Sequence, residues 1–429
     1  MKLSQYNYIT KVNDNYIIFN MISRALIEID DRIYNFIISK DLSKFSKDEL
    51  EFLYQNNIII DDELQEINLL KLFYRTGCYS NNLGLTIIPT LDCNFNCTYC
   101  YEYHKKINLD DRTTQSIKEF IKNNICNYNK FEINWFGGEP LLEIDKIIYI
   151  MDYINNLIIK NNVNIKNKFS MVTNGYLLNA KTSEIISSLG IKSIQITLDG
   201  PPEIHDKRRV LNNGKATFNQ ILKNIVDNTN FFDQIVIRIN IDKQNELFIT
   251  NLLEILKKAF NNNPPKNIIL FPFFVSAVGA SCNYGLCFSE NKKSELYNQI
   301  IKEFYESGLN FETQNVLSLP DFIYCSYYLT NNFIIDPSGN ILKCIRDLYD
   351  INNNKIGFID IDGTMKLNYS KFINKFILEP FDDIECINCI YLPLCMGGCK
   401  ASFPLKNCTF MKEAIKEKII SDYKKLKII

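Results

Sequence analysis

Six short apolar runs, each followed by a stretch of helical character, constrain this chain more than any other feature. They cover residues 85–89, 132–136, 169–173, 193–198, 234–239 and 268–274. Runs this short and this apolar are what strands buried on both faces require. Between the first two, Asp110 or Asp111 can cap a helix whose apolar face is Ile117, Phe120, Ile121 and Ile125. A further helical stretch covers about residues 246–260. Repeated strand–helix units predict an α/β fold, a (β/α)6 barrel or open part-barrel, with ligands at the C-terminal ends of the strands. The residues just after each run are therefore the candidates for chemistry.

Two other blocks flank this one. Residues 1–82 begin with β-forming runs at 8–11, 16–20 and 25–29, separated by turn-prone Asn13-Asp14-Asn15 and Met21-Ile22-Ser23. Helical patterns follow: Ile33, Phe36 and Ile37 share a face, and Ser46 with Glu49 forms an S-x-x-E capping box. A small N-terminal α+β module is expected. From about residue 306 the periodicity weakens while cysteines concentrate, so this segment needs metal to hold it together. Residues 411–426 read as a closing helix. The domain boundaries expected are thus 1–82, 83–305 and 306–429.

Composition narrows the chemistry. A net charge of −1 argues against a chain-wide basic face for nucleic acid or anionic membrane. No apolar run is long enough to span a bilayer, and the first residues lack a secretory apolar core, so a cytoplasmic location is expected. With only two histidines, His104 and His205, His-based metal sites and hydrolase schemes are poor fits. Fourteen cysteines in a reducing compartment point to metal rather than disulfides. Of these, Cys78 and Cys126 read as structural thiols.

After the first run comes Cys93-Asn-Phe-Asn-Cys97-Thr-Tyr99-Cys100. Three thiolates at this spacing can hold three irons of a cubane and leave the fourth open to a substrate or cofactor. A zinc loop short of one ligand is the alternative. With the aromatic Tyr99 and the position after a first strand, the motif resembles the radical S-adenosylmethionine (SAM) superfamily. The resemblance continues along the same rim, over residues 85 to about 275. Gly137-Gly138-Glu139-Pro140 after the second run is similar to the family's GGEP motif, whose backbone and Glu139 are expected to meet the SAM amino group. Thr173-Asn174-Gly175 ends the third run and Thr197-Leu198-Asp199-Gly200 the fourth. The resemblance implies SAM contacts at Tyr99, Asn174 and, to the ribose, at Thr197. In Ile204-His205-Asp206-Lys207-Arg208-Arg209, Arg209 is expected to pair with the SAM carboxylate, with Arg208 beside it. A solvated surface pair is the alternative reading of these two arginines.

The C-terminal cysteines carry a second signal: Cys325-x13-Gly339-x4-Cys344, then Cys386-x2-Cys389-x5-Cys395-x3-Cys399, then Cys408. This resembles the SPASM domain, which holds two auxiliary [4Fe-4S] clusters. The resemblance implies one cluster on Cys386, Cys389, Cys395 and Cys408, and the other on Cys325, Cys344 and Cys399. The second lacks an obvious fourth ligand. Cys282 or Cys287 could supply it, or an iron stays open for a substrate thiolate. Zinc knuckles are the alternative. Anaerobic sulfatase maturases, also SPASM enzymes, have an Asp directly after the second SPASM cysteine; here Ile345 follows Cys344 and Asp347 comes two residues later.

The N-terminal module is similar in pattern to the PqqD-like winged-helix element that captures precursor-peptide leaders, through main-chain pairing at a strand edge. Together these resemblances imply a radical SAM/SPASM peptide maturase with three [4Fe-4S] clusters and SAM, served by a reducing donor such as flavodoxin or ferredoxin. The expected reaction is thioether crosslinking of a ribosomally made peptide. The alternatives are carbon–carbon crosslinking, formylglycine formation in a sulfatase, and a non-catalytic zinc scaffold that binds peptide.

Overall fold

The computed structural model describes residues 1–102, 104–160, 165–276, 285–312, 325–376, 379–399 and 408–426. They fall into two compact units. One comprises Met1–Tyr79, Asn315–Cys325 and Phe376–Ile429; the other comprises Ser80–Gln314 and Ser326–Lys375. The segment from residue 306 onward therefore contributes to both.

In the first unit, β1 (Lys2–Leu3) pairs antiparallel with the later β5 (Ile59–Ile60). Between them, β2 (Asn7–Val12), β3 (Asn15–Asn20) and β4 (Leu26–Ile29) form an antiparallel meander. The alternation of this sheet buries Ile18 and Ile29 against Ile37, Phe45 and Leu53 of the helical part. Ser46 and Glu49 close the expected capping box at helix Lys47–Gln55, the Ser46 hydroxyl accepting from the Glu49 amide and the Glu49 carboxylate from the Ser46 amide. The helix Cys408–Leu426 lies on this module: Tyr423 donates to Glu28 at 2.6 Å and accepts from Asn15 at 3.2 Å. Arg75 makes a two-pronged pair with Glu379, and Tyr74 meets Phe381 edge to face.

The second unit holds six parallel strands, β6 (Asn82–Ile87), β8 (Lys130–Trp135), β9 (Lys166–Thr173), β10 (Ile191–Thr197), β12 (Gln234–Ile241) and β13 (Ile268–Phe274), adjacent in that order. The two numbers skipped belong to β7 (Phe95–Cys97) and β11 (Arg209–Leu211), a separate antiparallel pair. Each expected apolar run lies on one of the six. Their fully buried residues, such as Ile133, Met171, Ile196 and Ile237, form one face under the helices. Asp110 caps helix Asp111–Asn124, accepting from the Thr113 amide at 2.7 Å. The opposite face carries Thr86, Asn134, Ser170 and Arg238, and part of it lines a cavity of about 250 Å³ with Phe333 and Lys343. At its β6 edge the sheet is extended by β14 (Asn332–Ile335), parallel, and by β15 (Asn340–Leu342), β16 (Gly357–Ile359) and β17 (Met365–Leu367), antiparallel. Gly339 turns the chain between β14 and β15 at φ 78°, which disfavours any residue with a Cβ. No helix among the described residues is long and apolar enough to cross a membrane.

Candidate functional site

The loop after β6 is held in place before any cofactor is considered. Thr90 donates to Asn108 at 2.7 Å and accepts from the Asp92 amide at 2.9 Å, fixing the entry. The Phe95 amide then donates to Cys93 Sγ at 3.4 Å. The strand β7 pairs with β11 in a register that sets Cys97 opposite Arg209. The Thr98 amide donates to the Arg208 carbonyl at 3.0 Å, and Asn212 Nδ2 to the Cys93 carbonyl at 2.8 Å. Residues 208–212 thus clamp the cysteine loop from end to end.

Cys93 is buried, Cys97 half-buried and Cys100 exposed, and Cys100 stands within electrostatic reach of the other two. Burial pushes the Cys93 thiol up to about 12 and raises Cys97; at Cys100, whose surface is exposed, crowding by the loop and the nearby Glu102 act the same way. The protein's own field therefore keeps these thiols protonated; a metal would have to draw off the protons. His104 Nε2 lies 3.3 Å from Cys100 Sγ. Among the described residues no three donors converge on a position for a single ion. A cubane, which takes one thiolate at each iron, makes no such demand.

The glycines of the second motif are needed, for a reason the sequence does not disclose. A Cβ on Gly138 would lie 2.0 Å from the Asp92 carbonyl oxygen, and one on Gly137 would lie 2.6 Å from that of Thr90. The main chain they approach is the entry to the cysteine loop itself. The Gly138 amide donates to the Thr90 carbonyl and the Glu139 amide to the Asp92 carbonyl at 2.9 Å. Glu139 is fully buried, and its carboxylate accepts from the Thr173 hydroxyl at 2.6 Å and from the Asn174 and Leu141 amides at 2.7 and 3.1 Å. Burial raises its pKa, while these donors oppose the rise. Glu139 therefore ties the ends of β8 and β9 together. Asn174 in turn donates to Asn94 of the cysteine loop at 2.7 Å.

Tyr99 is the hub of the rim. Its hydroxyl donates to Asp199 and accepts from Arg209 at 2.8 Å and from Asn240 Nδ2 at 3.1 Å. Asp199, fully buried, also accepts from the Asn240 amide at 3.0 Å. Asp199 stands in the Thr197-Leu198-Asp199-Gly200 segment with no role assigned to it from sequence, and Asn240 carries no motif at all. Arg208 and Arg209 are both buried, at 1% and 8% exposure, which rules out a solvated surface pair. Arg208 donates to Asp242 at 2.7 Å and stacks over the Tyr99 ring. Arg209 keeps a buried Nε with no hydrogen-bond partner. Thr197 is buried at the end of β10, level with Arg238 on β12.

His205 is packed beneath. Its Nδ1 accepts from the Asp199 amide, so Nε2 carries the hydrogen toward Thr217, which donates to the Arg209 carbonyl at 2.5 Å. Burial, with Arg209 and Arg208 adding to it, holds this imidazole well below its ordinary pKa, and it is neutral.

The C-terminal cysteines divide. In the first unit Cys395 is desolvated and pushed up to about 12, with Cys408, Cys386 and Cys389 within electrostatic reach of it. Met396, Gly397 and Gly398 follow Cys395 with positive φ of 43°, 83° and 74°, one left-handed turn that leads into Cys399. Cys325 belongs to the first unit and Cys344 to the second. The Cys344 amide donates to the Asp347 carboxylate at 3.2 Å, so Asp347 serves as a local cap. Cys287 is half-buried, and Cys282 lies outside the described residues. Cys78 is buried as expected, whereas Cys126 is exposed on a short turn and fills no core position.

Comparison with known proteins gives this arrangement a class. Residues 87–241 match the radical SAM superfamily, and the chain carries a radical SAM domain; it is an enzyme. Over 341 residues it is 26% identical to a cysteine-type anaerobic sulfatase-maturating enzyme of Clostridium novyi, covering 74% of this chain and 88% of that one. Over 467 aligned positions it is 24% identical to the radical SAM cyclopropyl synthase TigE of Paramaledivibacter caminithermalis, covering 94% and 90%. Among solved structures it resembles anSMEcpe with bound AdoMet (TM-score 0.63, 18% identity, 81% of this chain and 98% of that one). It also resembles Streptococcus suis SuiB bound to its precursor peptide SuiA (TM-score 0.55, 17% identity, 94% and 96%). The fold is that of radical SAM enzymes with a part-barrel core. The residues present fit a cluster and SAM: three thiols on a preset loop, and a buried guanidinium with a donor to spare for a carboxylate.

Proposed function

We propose that this enzyme modifies a ribosomally made precursor peptide, forming a thioether between a peptide cysteine sulfur and a residue carbon. Cys93, Cys97 and Cys100 would hold the cluster, while Gly137, Gly138, Asn174, Thr197 and Arg209 would receive SAM, with Tyr99 and Glu139 bracing the pocket. When bound, the cluster and SAM supply a 5′-deoxyadenosyl radical by one-electron reductive cleavage. The residues of the rim do the rest. Arg209 would anchor the SAM carboxylate, and the Tyr99 hub and the glycine packing keep the loop from shifting. Cys386, Cys389, Cys395 and Cys408 would hold one auxiliary cluster, and Cys325, Cys344 and Cys399, with Cys282 or Cys287, the other. The module at residues 1–82 would take the peptide leader, and a flavodoxin or ferredoxin in the cytoplasm would supply electrons.

The observation that supports this reading is that Cys386, Cys389 and Cys408 stand within electrostatic reach of Cys395 in a chain whose Cys93–Cys97 loop is clamped by the strand at 209–211. Asp347, engaged as a cap, supports a substrate other than a sulfatase. The test is anaerobic reconstitution with iron, sulfide and zinc counted, then incubation with SAM, reductant and the short Cys-containing peptide encoded nearest the gene. About twelve irons and 5′-deoxyadenosine are expected, following four irons per cluster. The peptide should lose two hydrogens together with one alkylatable thiol. Loss of hydrogens with all thiols retained would indicate a carbon–carbon link. An aldehyde in place of the thiol would indicate formylglycine, and zinc without iron would overturn the enzyme mechanism altogether.

A further inference from the structure

One arginine of the barrel interior has no carboxylate in contact with it among the described residues. Arg238 lies on β12, level with Thr197 of β10 on one side and Phe271 of β13 on the other. It shares the inner face with Asn240, whose amide reaches the Tyr99 hub. The Arg238 guanidinium carbon lies 3.8 Å from the centre of the Phe273 ring, and Nε donates to Asn240 Oδ1 at 2.8 Å. That is its one side-chain hydrogen bond among the described residues, and no carboxylate among them comes within ion-pairing distance. Arg208, by contrast, has Asp242 and Asp199, and Arg209 faces Cys97. Tyr101 stands within electrostatic reach of Arg238, and its hydroxyl is buried with no hydrogen-bond partner among the described residues. A guanidinium with unspent donors and an idle phenol hydroxyl, on an aromatic wall, demand an acceptor that carries charge. Burial pulls the Arg238 pKa down, and the more distant Asp199 offsets this only in part.

We propose that Arg238, assisted by Tyr101, binds a carboxylate of the peptide substrate and so sets which peptide position meets the radical. The proposal rests on the peptide-modifying reading. Arg238 is a specificity-determining residue: the chain Arg238–Asn240–Tyr99 links the carboxylate it holds to the same hub that fixes the cysteine loop. The carboxylate can come from an Asp or Glu side chain or from a peptide C-terminus, and both present the same two oxygens to the guanidinium.

The test uses the reconstituted, SAM-loaded enzyme and a pool of hexapeptides with one fixed Cys and randomised neighbours, made in C-amidated and free-acid forms. Captured peptides are read by mass spectrometry, and SAM affinity is measured on the same samples. Wild type should enrich Asp and Glu over Asn and Gln about tenfold in the amidated pool, as expected for a charge-assisted pair. Arg238→Gln should erase that ratio, and Arg238→Lys should restore part of it. Preference for the free-acid pool, without enrichment of Asp or Glu, would assign the carboxylate to a C-terminus. Equal capture of acids and amides by wild type would overturn the proposal. So would an Arg238→Gln variant whose SAM affinity falls as far as its acid preference, because the carboxylate held would then be that of SAM. Capture of no peptide at all by wild type would overturn the peptide reading itself, an outcome distinct from equal capture.

Discussion

The cysteine loop at residues 93–100 and the cysteine segment at 386–399 both gather thiols, and they are held in opposite ways. The first is clamped by paired main chain from residues 208–212, by the packed glycines 137 and 138, and by a side-chain hub that draws on two strand ends. The second is organised by short-range contacts. Asp383 caps a four-residue helix, the Cys389 amide donates to the Cys386 carbonyl, and the Gly398 amide to the Cys395 carbonyl. One region is shaped by contacts with distant strands, the other by contacts within its own short stretch; on the proposed reading, metal would complete the second.

The sharpest way to break this comparison is Gly138→Ala. The added Cβ meets backbone that cannot move without shifting Asp92 and Cys93. We expect loss of about four irons per chain, following cluster stoichiometry, and no 5′-deoxyadenosine above background. Full iron content would show that the loop is looser than described. Next in size is Arg208→Met, which leaves Asp242 and Asp199 buried without their cation. Breaking such a pair costs about 3–5 kcal/mol, readable as a lowered denaturant midpoint. A third experiment compares the regions directly. After chelation, the amides of Thr98 and Asn212 should stay protected from hydrogen exchange, while those of Cys389 and Gly398 exchange about a hundredfold faster.

Acid separates the regions further. His205 is neutral in the folded chain, with its pKa well below the ordinary value, whereas in the unfolded chain it takes up a proton near pH 6.5. Its contribution is therefore intact above that pH and is lost below it, at about 1.4 kcal/mol per pH unit. Unfolding midpoints at pH 7 and 5.5 should drop more in wild type than in His205→Asn. The smallest effect is expected at Asp383→Ala, which removes a cap worth about 1 kcal/mol. That loss should be measurable in the chelated protein and much reduced once metal is bound.

Much of this arrangement is legible in the residues. Six apolar runs yield six parallel strands, and the motif residues fall at strand ends because a parallel sheet puts every C-terminus on one rim. What is not legible is what holds the rim together. The strands β7 and β11 have three residues each, too few to show a period, and their pairing joins segments far apart in sequence. Asp199 lies in a readable segment and Asn240 in an ordinary strand end, and only the fold reveals that both reach Tyr99. The glycines are readable as a motif, yet their packing partner, residues 90–92, is visible only in three dimensions. The strands β14–β17 were likewise hidden, being short and set in a stretch whose cysteines dominate its composition.

The clamp on the cysteine loop also imposes an order on biosynthesis. Cys97 leaves the ribosome about 110 residues ahead of Arg209, its partner across the ladder, and at ordinary synthesis rates that gap lasts several seconds or more. During it the three thiols stand on an open, unpaired loop, exposed to oxidation and to stray zinc. Productive loading with iron must therefore wait for the fourth strand and its following helix, which makes late delivery of the cluster a property of the chain's own connectivity.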